Sequence, residues 1–176
     1  MIEQDLLRIS SQVGEILLKN QLTIATAESC TGGLLSHILT GVSGSSDYFI
    51  GGIVAYSNRI KESHLGVNPI TLETYGAVSS QTAAEMAIGV RERFQTDIGL
   101  STTGIAGPTG GTVEKPVGLV WIGISSPQGT QTYECHFSGG RNQVKTSTVE
   151  TVLQNLLDEL HKQNERKEDC DDRKNK

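Results

Sequence analysis

Cysteine is scarce in this chain: Cys30, Cys135 and Cys170 are the three in 176 residues, too scattered for a disulfide framework or a CxxC metal site. Four histidines, His37, His64, His136 and His161, are equally dispersed, so no metal centre is expected. Positive charge is also short. The formal balance is −5, and no cluster of Lys and Arg supplies the footprint that nucleic acid or an acidic membrane surface requires. No stretch approaches the roughly 18 continuous apolar residues of a membrane span. The start of the chain sets Glu3, Asp5 and Arg8 among Ile2, Leu6, Leu7 and Ile9, unlike the basic head and apolar centre of a secretion signal. These absences predict a soluble protein of the reducing cytoplasm, with no metal, no cofactor, and neither nucleic acid nor membrane as partner.

What is present suits one α/β domain with a sizeable core, since 36% of the residues are hydrophobic. Leu6, Leu7, Val13, Ile16, Leu17 and Leu18 recur at helical spacing, with Asn20 as a stop before a first strand at residues 22–27. Residues 49–57 form a second strand. It is nearly uncharged and β-branched, as for a strand buried on both faces, and Gly51 and Gly52 suggest a bulge or a close backbone contact. Residues 58–65 read as a short helix closed by Gly66, and Ser79 or Ser80 caps a longer one reaching Gln95. Strands follow at residues 98–103, 119–125 and 131–137, the last two joined by a Pro127-Gln128-Gly129 hairpin. A final helix covers residues 144–160. The resulting expectation is a three-layer α/β/α fold on a mixed, mostly parallel sheet with an antiparallel strand near the end. One domain spans residues 1–161, and residues 162–176, without an aliphatic side chain, form a charged tail expected to be disordered.

Two motifs carry chemistry. The first is the turn Ser29-Cys30-Thr31-Gly32-Gly33, between the first strand and a helix at residues 34–39. A hydroxyl at the carboxyl end of a strand, beside the free N–H groups of a helix start, suits a nucleophile with an oxyanion hole or a phosphate cradle. Ser29 or Thr31 as a plain N-cap fits as well. The second is the glycine-rich segment after the third strand, with Thr103, Gly104, Gly107, Gly110 and Gly111, then Lys115-Pro116-Val117-Gly118. Its run of backbone N–H groups suits an anion. It is neither a P-loop nor a dinucleotide fingerprint, because GxxxxGK[ST] and a GxGxxG after the first strand are missing. Ligands in open α/β sheets bind beyond the carboxyl ends of strands, which places both motifs in one crevice.

AESCTGG at residues 27–33, SGSSDYFIGGIVAYSNRIK at 43–61, LGV at 65–67, GAVSSQTAAEMAIGV at 76–90 and STTGIAGPTGGTVEKPVGLVWIGI at 101–124 together resemble the CinA carboxy-terminal domain family. The resemblance covers residues 5–160, with Thr109 where a glycine is common, and lacks the large amino-terminal domain of full-length members, as in the stand-alone form. It implies a metal-independent deamidation of nicotinamide mononucleotide to nicotinate mononucleotide and ammonia, on an α/β/α fold, in a homodimer.

Amide hydrolysis needs a nucleophile, a base, an acid for the leaving amine and donors for the oxyanion. Ser29 is the candidate nucleophile, and the family's Ser/Lys pairing falls on Ser29 and Lys61. A desolvated lysine loses its proton near neutral pH, whereas a solvated helix position is the ordinary fate of such a residue. Tyr56 is a candidate to relay a proton or orient the pair, or a core tyrosine. N–H groups of residues 30–33, with Thr31, Gly32 and Gly33 on the substrate side, are candidates for the oxyanion. Arg141, after Ser138-Gly139-Gly140, matches a family arginine and is the candidate phosphate fork. The family also points to Thr103 as a partner of the amide or of the serine. Glu28 is open between balancing the pyridinium, balancing the lysine and a structural ion pair; Cys30 is a weaker nucleophile candidate for want of a histidine. Two other functions fit the chain: a nucleotide-binding or regulatory module without turnover, and a competence- or damage-related interaction domain.

Overall fold

Alternating helical and β-branched segments place five strands in one sheet between two helical layers, in a computed structural model that describes residues 2–174, with side chains described for residues 3–164. The elements run α1 (Ile2–Asn20), β1 (Ile24–Glu28), α2 (Leu34–Thr40), β2 (Phe49–Val54), α3 (Asn58–Leu65), α4 (Pro69–Tyr75), α5 (Ser80–Phe94), β3 (Ile98–Gly104), β4 (Leu119–Ser126), β5 (Gly129–His136) and α6 (Arg141–Lys174). The sheet order is β2-β1-β3-β4-β5. β1 runs parallel to β2 and β3, while β4 is antiparallel to both β3 and β5. Four strands therefore share a direction and β4 alone opposes them, the mixed, mostly parallel sheet expected from the sequence.

One core lies between the sheet and α1, α2 and α6. Leu6, Val13 and Leu17 of α1 meet Leu35, Ile38 and Leu39 of α2, Val149, Val152, Leu153 and Leu156 of α6, and Ile24, Leu100, Ile122 and Ile124 of the strands. The other core is built from smaller residues, Ala25, Ala27 and Ala55 against Met86 and Val90 of α5 with Leu65 of α3. Small residues there draw α5 close to the sheet. A β-carbon at Gly99 or Gly123 would overlap the carbonyl of Ala87 or lie 2.5 Å from that of Ala83, and Ser101 donates its hydroxyl to Ala83 O at 2.6 Å.

Three expectations change. β2 is an edge strand, not one buried on both faces: Ile50 and Val54 are each 49% exposed, because nothing pairs beyond them. Its bulge is real, with Ile50 inserted between the Ile24↔Phe49 and Ala25↔Gly51 pairs, and Gly51 and Gly52 admit the Phe94 ring and the Thr26 hydroxyl. α4 was not anticipated, although Asn68 accepts from Ile70 N and Pro69 opens the helix, a standard start signal. Finally, α6 carries its helical backbone through Lys174, into the segment expected to be disordered from residue 162. Glu, Lys, Gln and Arg are good helix formers, and extending a helix already nucleated on the core adds one bond per residue fixed. Residues 175 and 176 of that expectation lie outside the described residues.

Gly89 lies within α5, where alanine ordinarily improves a helix by about 1 kcal/mol. Here an added β-carbon would overlap the Leu65 carbonyl at the end of α3. Gly89→Ala is expected to destabilise the fold by about 2 kcal/mol, the scale of core overpacking. Urea unfolding reads the sign directly; a stabilised variant would mean that α3 and α5 do not pack this closely.

Candidate active site

β1 ends at Glu28, and the chain turns there without leaving the sheet. Ser29 N donates to Thr102 O at 2.9 Å, and Ala55 N to Glu28 O at 2.7 Å, so β3 and β2 hold the turn from both sides. The turn then closes around the Glu28 side chain, which is fully buried. Oε2 accepts from Thr31 Oγ1 at 2.7 Å, Gly33 N at 2.9 Å and Leu35 N at 3.0 Å. Oε1 accepts from Ser36 N at 2.8 Å and Ser36 Oγ at 2.6 Å. One carboxylate thus satisfies the N–H groups that begin α2, the service a capping residue provides. Left-handed φ angles at Gly32 (62°) and Gly33 (98°) let the chain wrap it, conformations that side chains resist. Glu28 is therefore a structural carboxylate paired with N–H and O–H donors, and Thr31, whose hydroxyl also bonds Thr102 Oγ1 at 2.7 Å, belongs to the same network.

Opposite the turn, β2 leads through Ala55 and Tyr56 into α3. Ser57 caps that helix by accepting from Ile60 N, and Gly66 ends it with a left-handed φ of 68°. This start aims Lys61 back over β1. Lys61 is 1% exposed, and its Nζ donates to Ser29 Oγ at 3.1 Å and to Ala55 O at 2.8 Å. No carboxylate pairs with it among the described residues. Burial of an ammonium without a counter-ion favours the neutral amine, so the Lys61 pKa lies below the usual lysine value. The neighbouring Cys30 pulls the other way only when ionised, and burial pushes that thiol up to about 12. Cys30 is consequently an unreactive thiol at neutral pH.

The remaining candidates divide. Arg141 reaches the crevice, donating through Nη1 to Gly107 O at 2.9 Å and through Nη2 to Tyr56 Oη at 3.0 Å. It thereby links the glycine-rich segment to the β2–α3 connection. Tyr56 is 65% exposed and not a core residue; its hydroxyl is bonded to Arg141, and no hydrogen bond joins it to Ser29 or Lys61. Thr103 is not brought to the serine. Its hydroxyl donates to Ala77 O at 2.6 Å, because strand alternation sends Thr102 and Thr103 to opposite faces. The residue that underlies the turn is Thr102, missed in the sequence although the same alternation signals it. Gly104, Gly107 and Gly111 are used for close packing: β-carbons there would stand 2.5–2.7 Å from Leu119, Val117 and its backbone. Gly110 takes a left-handed φ of 93°. Lys115, also missed, straps this segment to the α4–α5 turn by donating to Tyr75 O at 2.6 Å and Val78 O at 2.8 Å. Among the described residues no cluster of His, Cys, Asp and Glu is arranged to hold a metal, and no helix is long and apolar enough to cross a membrane.

Two stability measurements check this geometry. Glu28→Gln replaces one acceptor oxygen by a donor against buried N–H or O–H groups, and should cost about 3 kcal/mol in urea unfolding; a loss under 1 kcal/mol would mean the turn does not depend on the carboxylate. For Lys61, a folded-state pKa below the unfolded one means that the unfolded chain binds more protons between the two values. Stability then rises with pH through that window, below which the cost of burying the charge is fully present. Lys61→Met should lack this rise and be less destabilised than wild type as pH falls; parallel curves for the two proteins would contradict a depressed Lys61.

The model of the CinA C-terminal domain matches residues 6–160. A CinA-like protein of Cyanothece sp. is 50% identical over 154 residues, which is 86% of this chain and 37% of that protein. The CinA-like protein of Acaryochloris marina is 49% identical over 154 residues, again 86% of this chain and 37% of the relative. The chain thus spans little more than a third of the length of these curated relatives. Among solved structures, the competence/damage inducible protein CihA from Agrobacterium tumefaciens is 40% identical with a TM-score of 0.86, covering 89% of this chain and 96% of that one. A CinA superfamily protein from Escherichia coli is 35% identical with a TM-score of 0.83, covering 89% of each chain. With its α/β/α layers and the Ser29 turn in a matching region that spans nearly the whole fold, the chain belongs to the CinA C-terminal domain family.

Proposed function

We propose that this domain hydrolyses the carboxamide of nicotinamide mononucleotide to nicotinate mononucleotide and ammonia, with Ser29 as nucleophile and Lys61 as its base. The observation that carries the reading is a buried lysine amine without a carboxylate partner, 3.1 Å from a serine hydroxyl at the carboxyl end of β1. A lysine whose pKa is lowered by burial, beside a hydroxyl nucleophile in a crevice, has the physical character of a functional-site base. Neutral Lys61 takes the Ser29 proton as the oxygen attacks the amide carbon. The resulting ammonium gives a proton to the amide nitrogen, ammonia leaves, and water attacks the acyl-serine with Lys61 again as base. Glu28 occupies Gly33 N, which narrows the oxyanion donors to the N–H groups of Cys30, Thr31 and Gly32. Arg141, already aligned by Tyr56 and Gly107, meets the phosphate. No step draws on a metal.

Ammonia release from nicotinamide mononucleotide tests the activity, and the two residues test the mechanism. Ser29→Ala and Lys61→Ala should each lower kcat by at least about 100-fold, the lower range of general-base assistance, while the double variant is scarcely worse than either. Lys61→Arg keeps the charge but cannot deprotonate; with folding verified by circular dichroism, it should be as inactive as Lys61→Ala. Activity should climb with pH as Lys61 loses its proton and survive exhaustive chelation. Nucleotide binding by the wild type without ammonia release would overturn the hydrolase reading in favour of a non-catalytic module, and near-normal turnover by Lys61→Arg would remove Lys61 as the base.

A further inference from the structure

The opening turns of α6 carry a charge arrangement that folding does not explain. Arg141 and Lys145 stand four residues apart, hence on one face, where like charges repel, and the first turn holds no acid. The ion pairs among the described side chains are His37–Glu3 and His136–Glu134, so neither cation is neutralised among the described residues. Arg141 at least spends two donors on Gly107 and Tyr56. The Lys145 side chain makes no hydrogen bond among the described residues, although it is half-buried. Its ammonium is nevertheless specifically placed. A β-carbon built on Gly32 would find Lys145 Nζ at 3.7 Å and no other atom within 4 Å beyond its chain neighbours. Lys145 therefore bounds an open space over the nucleophile turn, on the side from which Arg141 reaches the crevice. Local conflicts of this kind, kept where a single neutral residue would relieve them, gather at functional sites.

We propose that Lys145 and Arg141 form a two-cation clamp for a phosphomonoester, with Lys145 the arm that discriminates a phosphorylated nucleotide from its unphosphorylated nucleoside. A phosphomonoester carries close to two negative charges at neutral pH. The guanidinium offers it a planar fork and the ammonium a compact charge with three rotatable donors. Without the second cation one of those charges stays uncompensated over the turn. The nucleotide to which the phosphate belongs rests on the hydrolase reading above; the anion preference of the two cations does not.

The test uses the full chain, with Lys145→Met and Lys145→Arg assayed on nicotinamide mononucleotide and on nicotinamide riboside, and inorganic phosphate binding followed by calorimetry. Lys145→Met should lower kcat/KM on the mononucleotide about tenfold or more, chiefly through KM, as expected for loss of one charge-assisted hydrogen bond. On the riboside the loss should be several-fold smaller. Lys145→Arg should recover most of the loss, and inorganic phosphate should bind Lys145→Met about tenfold more weakly than wild type. Equal losses on both substrates would place Lys145 at the reacting carbonyl or in the fold, and unchanged kinetics would leave it without a role; either result overturns the clamp. Should the wild type release no ammonia from either compound, the hydrolase reading fails, and calorimetry decides the clamp by itself. Equal phosphate affinity in wild type and Lys145→Met, or no phosphate binding by wild type, overturns it there.

Discussion

The buried carboxylate of Glu28 is the constraint on which the site depends. Five donors from Thr31, Gly33, Leu35 and Ser36 converge on its two oxygens, and a buried charge is tolerable only when so completely bonded. The requirement acts in both directions. The turn after β1 must bend tightly enough to deliver Gly33 N, and α2 must begin where Leu35 and Ser36 can reach the same group. Ser29 sits between Glu28 and that wrapped segment, fixed from below by its own N–H on Thr102 O. Its hydroxyl therefore faces the crevice from a rigid support, which is what a nucleophile needs for productive orientation.

Lys61 shows the opposite electrostatic solution. Five donors surround the oxygens of Glu28, whereas Lys61 has a serine hydroxyl and one carbonyl as its partners. Burying an unpaired ammonium costs several kcal/mol, and each unit of pKa depression relieves about 1.4 kcal/mol of that cost. Burial thus shifts the Lys61 balance toward the neutral amine, the form that the proposed base requires. Around this pair the fold supplies distinct holders: α3 aims the lysine, Lys115 straps the glycine-rich segment to the α4–α5 turn, and Arg141 ties that segment to Tyr56.

Much of this was legible in the chain, and what was missed has physical reasons. The apolar spacing of α1 and α5 and the Gly66 stop after α3 placed those helices within a few residues. The 22–27 and 98–103 runs marked the paired strands of the crevice, because central strands are buried along their length and hold small, β-branched and uncharged residues before their ends. The edge character of β2 was hidden, since its composition matches a strand covered on both faces and only topology shows that nothing pairs beyond it. The convergence of five donors on Glu28 is a property of a three-dimensional turn; spacing alone left an ion pair equally open. Thr102 and Thr103 were separable by alternation alone: Thr102 bonds Thr31 beneath the turn, whereas the Thr103 hydroxyl is directed to Ala77 O. Lys145 announced itself only through its four-residue offset from Arg141, a pattern common enough on helices to pass unnoticed until its ammonium was found over Gly32. Burial of Lys61 ran against the ordinary exposure of lysine, and the family's Ser/Lys pairing was what singled it out.

The account turns on whether Lys61 is an unprotonated amine under working conditions. Nuclear magnetic resonance of protein carrying carbon-13 at the lysine Cε, with the Lys61 signal assigned by its loss in Lys61→Arg, follows that protonation directly as pH is varied. The structure predicts a midpoint clearly below the ordinary lysine value of about 10.4, shifting back toward it when the protein is unfolded in urea. A midpoint at or above the ordinary value in the folded protein would mean that Lys61 stays an ammonium beside Ser29, and the base would then have to be another group.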